Sequence, residues 1–200
     1  LQPERLPAQG PLSAVSSGAA EPVPSVSVVV VVYDMPRELP RTLYSLSPLH
    51  QRGIDASDYE VIVVDNGSPE PVDHLVAAAP LDARLIRLDP APPSPARAAN
   101  TGIAACRGDL VGVVMDGARL ASPGLLSTAL LGARLADRPV ITAPAYHLGP
   151  TTHMKAAEAG YDQQVEDRML DDVDWKADGY RLLGCSTFAG SSHRGWFGHK

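Results

Sequence analysis

Two apolar patterns alternate along the first 150 residues. Short β-branched runs are separated by stretches in which Leu or Ala recurs every three or four positions. Val26 to Tyr33 and Val111 to Met115 lack polar alternation, so each is expected to be a parallel strand covered on both faces. Tyr59 to Val64, Arg84 to Leu88 and Val140 to Ala145 supply further strands. Helices are expected from Leu39, where Leu39, Leu43 and Leu46 share a face between Pro36/Pro40 and Pro48, and over Pro71–Ala79, Ala96–Cys106 and Pro123–Ala136. In the last of these Leu125, Leu126, Ala129, Leu130 and Ala133 form the inner side. Strand and helix therefore alternate, which predicts an α/β fold: a three-layer α/β/α sandwich with a mainly parallel central sheet and right-handed crossovers.

Beyond Pro150 the pattern changes. A helix is expected over Thr152–Leu170, with a weakly apolar face of Ala156, Ala159, Val165 and Met169 and an acidic opposite side, followed by loops or short strands from Lys176 to Lys200. Residues 1–25 are rich in proline and show no periodicity, so they read as a flexible arm. The expected division is an arm at 1–25, a ligand-binding α/β domain at 26–150, and a second, incomplete region at 151–200.

Composition narrows the class of protein. A hydrophobic share of 44% supports one sizeable core, and a net charge of -6 with no basic run argues against nucleic acid as a partner. Two cysteines, Cys106 and Cys185, are too few for a disulfide scaffold and read as buried free thiols of a reducing compartment. No run approaches the ~20 apolar residues of a membrane span, so a cytoplasmic location is the expectation. The first residue is Leu and the last pattern is unfinished, which suggests a piece of a longer chain.

Chemistry collects where strands end. Asp34, Asp65 and Asp116 each follow an expected strand at its carboxyl end, the edge at which open α/β sheets bind ligands. Asp65 leads into Asn66-Gly67-Ser68-Pro69, a turn that calls for positive φ. An Asp116 that merely caps its turn, and a Tyr33 that is an ordinary strand aromatic, are the competing readings. A dinucleotide-dependent oxidoreductase is disfavoured, because Asp34-Met35-Pro36 replaces the glycine-rich phosphate cradle.

Four segments in order, Val28–Asp34, Val61–Ser68, Ala99-Asn100-Thr101-Gly102 with Gly108-Asp109, and Met115-Asp116, resemble the family 2 glycosyltransferases, which have the GT-A fold and use nucleotide-diphosphate sugars. The resemblance implies a nucleotide-diphospho-sugar donor, such as a UDP-sugar, bound by Val32, Tyr33, Asp34, Asp65, Arg97, Asn100, Asp116 and Arg119. The acceptor, whether carbohydrate, lipid-linked or another small molecule, is unspecified. The family pattern Asp-x-Asp, which holds Mn or Mg, is reduced to Asp116-Gly117-Ala118. Asp116 is then the single metal candidate, with His147, His153 and His193 as further ligands to consider, while Arg119 could supply cationic charge to the diphosphate.

Inverting members take a catalytic base from an acidic motif after a Gly-Gly-aromatic segment. Here Gly195-Trp196-Phe197-Gly198 falls at the chain's end, which leaves Glu166, Asp167, Asp171 and Asp172 as weak base candidates and implies donor binding with little transfer. A non-catalytic glycosyltransferase-like module, binding a nucleotide or a partner without turnover, is the alternative.

Overall fold

The computed structural model describes residues 25–151 and 153–189. The proline-rich segment 1–24, His193 and the Gly195–Gly198 motif lie outside them. The described elements, in order, are β1 (Val26–Val32), α1 (Leu39–Leu46), β2 (Tyr59–Asp65), α2 (Asp73–Ala77), β3 (Ala83–Arg87), α3 (Ala96–Ala104), β4 (Leu110–Val114), α4 (Leu125–Ala133), β5 (Tyr146–Leu148), α5 (His153–Glu158), α6 (Gln163–Val173) and β6 (Ser186–Phe188). Four strands form a parallel sheet in the order β3-β2-β1-β4.

β1 and β2 are buried along their whole length because the sheet is covered on both sides. Val26, Val28, Val30 and Val32 point to one face and pack with Val61 and Val63 against Leu39, Leu43 and Leu46 of α1, Val76 of α2 and Leu126 of α4. Val29, Val31, Ile62 and Val64 point to the other and meet Ala98 and Ala99 of α3. That is the expected three-layer arrangement. α3 lies close to the sheet because Gly102 faces it: a Cβ built there would sit 2.3 Å from Val29 Cγ1. Behind β1, buried Ser27 donates to Glu60 at 2.6 Å, and Arg84 and Arg107 complete the partners of that carboxylate at the sheet's amino edge.

Four expectations need correction. Val111–Met115 was expected to be covered on both faces, but β4 is an edge strand of the described sheet and leaves Val111, Val113 and Met115 exposed. α3 packs mainly over β1 and β2 and meets β4 less closely. Val140–Ala145 forms no strand; Pro139 precedes it and Pro144 interrupts it, and pairing begins only at Tyr146, where β5 runs antiparallel to β6. Helix Thr152–Leu170 is two helices, because Gly160 at φ +83° ends the first and Asp162, accepting from Val165 N at 2.9 Å, starts the second. Finally, α4 is shorter than Pro123–Ala136 at both ends.

The region from α6 to β6 rests on α1 through a separate apolar cluster in which Leu170, Trp175 and Leu182 meet Tyr44 and Leu120. Cys106 and Cys185 are free and half-buried, and burial pushes both thiols up from their ordinary value. Among the described residues no helix is long and apolar enough to cross a membrane.

Candidate functional site

The carboxyl ends of β1, β2, β3 and β4 open into a cavity of about 790 Å³. Its floor is Val31, Tyr33 and Met115, three side chains on the α3 face of the sheet, and Asp116 stands at one end. Asn66, Gly67 and Arg87 form a second side, and the segment Leu88–Pro93 with Pro95 forms a wall. That wall is tied to the β2 turn, since Asn66 Nδ2 donates to Pro92 O at 3.2 Å. Gly67 holds φ +83°, and a Cβ there would meet Ala91 Cβ at 2.6 Å, so the turn and the wall approach more closely than any other residue would allow.

Asp65 lies behind this surface rather than on it. Its carboxylate is wholly buried, accepting Ser68 N at 2.8 Å on Oδ1 and Arg87 Nη1 at 2.8 Å on Oδ2. Arg87 also donates to Ser68 O at 2.9 Å, so the acid, the arginine and the turn brace one another. The register Asp65↔Arg87 puts the two side by side on neighbouring strands. Asp34, in the left-handed region at φ 51°, is exposed at the rim, where its backbone N donates to Ser68 Oγ at 3.0 Å. Its side chain is not on the cavity wall.

Asp116 sits in a turn that α1 holds in place. Buried Thr42 donates to Gly117 O at 2.6 Å and accepts from Arg119 N at 3.1 Å, and Ser45 Oγ accepts Ala121 N at 2.9 Å. Asp116 Oδ1 accepts Ala118 N at 3.1 Å, while Oδ2 accepts Arg119 Nε at 3.1 Å and forms an ion pair with Nη2 at 3.0 Å. Among the described residues no group of three His, Cys, Asp or Glu converges to hold a metal. A hard cation prefers six or more oxygen ligands, and a carboxylate already bonded on both oxygens beside a guanidinium does not fit one.

The sequence family described as glycosyl transferase family 2 matches residues 27–186. The chain belongs to that family.

Among curated proteins no sequence matches it. Solved structures of S. aureus TarS share its fold at a TM-score of 0.50: one matches at 20% identity, covering 64% of this chain and 25% of that one. TarS residues 1-349 in complex with UDP-GlcNAc also match at 20% identity, covering 59% of this chain and 37% of that one, again at a TM-score of 0.50. The same TarS segment without a named ligand matches at 15% identity over 82% of this chain and 57% of that one, with the same TM-score of 0.50. The chain thus spans a quarter to somewhat over half of these structures.

Against the positions that family resemblance singles out, the geometry divides them. Tyr33 and Asp116 lie on the cavity wall, with Arg119 paired to the latter. Arg97 and Asn100 are exposed on the first turns of α3, just beyond Pro95 of the wall. Val32 faces the opposite core at 1% exposure, and what it offers the turn is its carbonyl, which accepts Asn66 N at 2.8 Å. Val31, one residue earlier, lines the cavity instead, as alternation along a strand requires.

None of the acids on α6 reaches the cavity. Glu166 is gripped by Arg37 at 2.9 Å and Arg41 at 3.2 Å, and Arg41 also takes Asp167. The hydrogen bond from Arg41, with the charges of Arg41 and Arg37, holds the Asp167 carboxyl below the usual range, the opposite of what a general base needs. Asp171 and Asp172 face solvent. Sequence reasoning missed Asn66, Gly67, Arg87 and the Leu88–Pro95 wall, with exposed Asp89 in it. For Arg87 the signal was its place at the end of the third run, level with Asp65 once β2 and β3 are paired.

Proposed function

We propose that this chain binds a nucleotide-diphospho-sugar, with a UDP-sugar as first candidate, in the cavity at the strand ends, and serves a sugar transfer in which that nucleotide is the leaving group. The observation that carries the proposal is the composition of one cavity: an exposed aromatic, Tyr33, on the floor, with the paired cations Arg87 and Arg119 at or beside its wall. A base stacks on a tyrosine face, and guanidinium forks match the oxygens of a diphosphate. The likeness of fold to TarS, which has been solved with UDP and with UDP-GlcNAc, supports the same choice of ligand.

In this reading an acceptor hydroxyl attacks the anomeric carbon, the bond to the diphosphate oxygen breaks, and arginine hydrogen bonds stabilise the charge that develops there. The hydroxyl proton passes to a base. Glu166 and Asp167 are poor candidates, since both are engaged by Arg37 and Arg41 on another flank of α1. That engagement also favours the second reading, a module that holds the nucleotide without turning it over.

Calorimetric titration with UDP, dTDP, GDP and ADP tests the site, using Tyr33→Ala and Arg87→Ala as variants. At least one nucleotide should bind the parent chain, and each variant should weaken it by about tenfold, the loss of one good stacking or charged contact. No binding, or equal binding by parent and variants, would overturn the assignment. Release of the nucleoside diphosphate from the matching sugar donor, with and without simple sugar acceptors, separates enzyme from module.

A further inference from the structure

We propose that Arg119 occupies the role of the divalent cation, so that the donor's diphosphate binds without a metal. This rests on the donor-site reading and adds a commitment about charge. The residue two beyond Asp116 is Ala118, whose methyl group cannot ligate an ion, and Asp116 itself already has both oxygens bonded, one of them to Arg119. The same carboxylate that would anchor a metal instead orients a guanidinium.

That guanidinium is built into the turn. Thr42, at 1% exposure, accepts the Arg119 backbone N–H and donates to Gly117 O. Gly117 packs so tightly that an added Cβ would lie 3.0 Å from Val32 Cγ2, which limits movement of the backbone between Asp116 and Arg119. At the far end Asp116 Oδ2 accepts Nε at 3.1 Å and pairs with Nη2 at 3.0 Å, which leaves further N–H donors of the guanidinium for a ligand beside Asp116. The side chain is 58% exposed, so a ligand can reach those donors. A planar, always-charged, weakly hydrated fork suits two phosphate oxygens. The Asp116–Arg119 pair has no net charge, so its pull on a diphosphate is short-ranged and directional, unlike the field of a doubly charged ion.

The proposal is tested by calorimetry of UDP and of uridine, in EDTA and then with saturating MnCl2, on the parent chain, Arg119→Ala, Arg119→Lys, and the double variant Ala118→Asp/Arg119→Ala. Mn(II) binding is followed separately by electron paramagnetic resonance. For the parent, the UDP affinity should stay within about twofold between EDTA and manganese, where a bound metal would be worth tenfold or more. Arg119→Ala should weaken UDP by about tenfold or more and leave uridine unchanged, because only UDP carries the diphosphate, and Arg119→Lys should fall between them. The double variant should acquire a manganese-dependent affinity and a nucleotide-dependent resonance signal. Tenfold tightening of UDP by manganese in the parent, or equal losses for UDP and uridine in Arg119→Ala, would overturn the role given to Arg119 while leaving the donor site standing. Absence of binding by both UDP and uridine in every chain would instead overturn the donor-site reading beneath it.

Discussion

Gly102→Ala sets two effects of known size against each other. In an exposed helix the change would stabilise by about 1 kcal/mol, the difference in helix propensity between the two residues. At this position the new methyl would lie 2.3 Å from Val29 Cγ1, 3.0 Å from Val64 Cγ2 and 3.1 Å from Val29 Cγ2. Comfortable carbon contacts need ~3.5 Å, so the closest is short by roughly 1 Å. Val29 and Val64 are both fully buried and β-branched, with little freedom to rotate, so α3 has to lift from the sheet. Overpacking of this kind costs about 1–3 kcal/mol, or more when backbone must shift. With backbone forced to shift, the cost falls at about 2–3 kcal/mol, so the net result is a loss of roughly 1–2 kcal/mol, which in a chain of this size lowers Tm by about 2–8 °C. Thermal unfolding followed by circular dichroism measures it, with Val29→Ala added as a relieving partner that should recover part of the Gly102→Ala loss relative to Val29→Ala alone. The lift should also weaken UDP, since Pro95 at the start of α3 belongs to the cavity wall. A Tm that stays level or rises in Gly102→Ala would refute the close packing of α3 on β1.

Three further outcomes follow from the same geometry. Asp65→Ala removes the partners of Arg87 and of Ser68 N from a wholly buried position, and urea unfolding should show a loss of about 2–3 kcal/mol, below the full figure for a buried pair because Arg87 is 36% exposed. A loss under 0.5 kcal/mol, about the effect of an ordinary surface substitution, would contradict the bracing role. Thr42→Val breaks both bonds to the Asp116 turn and should cost about 1–3 kcal/mol while weakening UDP more than a remote change of equal stability cost; unchanged binding would sink the claim that α1 positions that turn. His50 is buried beside Tyr44 and Trp175 with Nε2 3.0 Å from Ala121 O. Burial pulls its pKa below 6.5 against the opposing effect of the Ala121 carbonyl, with Arg52 lowering and Asp178 raising it. The unfolded chain therefore binds the proton first, so stability is full above pH 6.5 and declines as pH falls through that value towards the lower folded pKa. His50→Gln should flatten the slope between pH 7.5 and 5.5, and parallel slopes would exclude His50 as its source.

Much of the sheet was legible in the sequence because long β-branched runs have few other uses. The run at Val111–Met115 shows the limit: an unbroken apolar stretch reports that a strand is suited to burial, and cannot report that β4 lies at an edge with α3 placed over its neighbours. Val140–Ala145 has strand-forming residues but follows Pro139 and contains Pro144, whose veto on pairing outweighed propensity. Gly160 was in plain view inside an expected helix, and its cost there was undervalued. At the site, strand-end placement brings Tyr33 and Asp116 to the cavity. It does not bring the Asp65 carboxylate there, because position at a strand end does not fix direction or partner: the acid turns inward to Arg87, a residue 22 positions away that becomes its neighbour only through strand pairing.

The central claim is that a nucleotide occupies the cavity between Tyr33, Asn66–Gly67, the Leu88–Pro95 wall and Asp116. Photo-crosslinking with 5-azido-UDP, followed by mass spectrometry of the digested chain, tests it directly. Label is expected on peptides containing Val31–Met35, Asn66–Gly67 or Arg87–Pro95, and excess UDP should abolish it. Label confined to peptides of α6 or of the β5–β6 pair, or label that UDP does not displace, would contradict the claim.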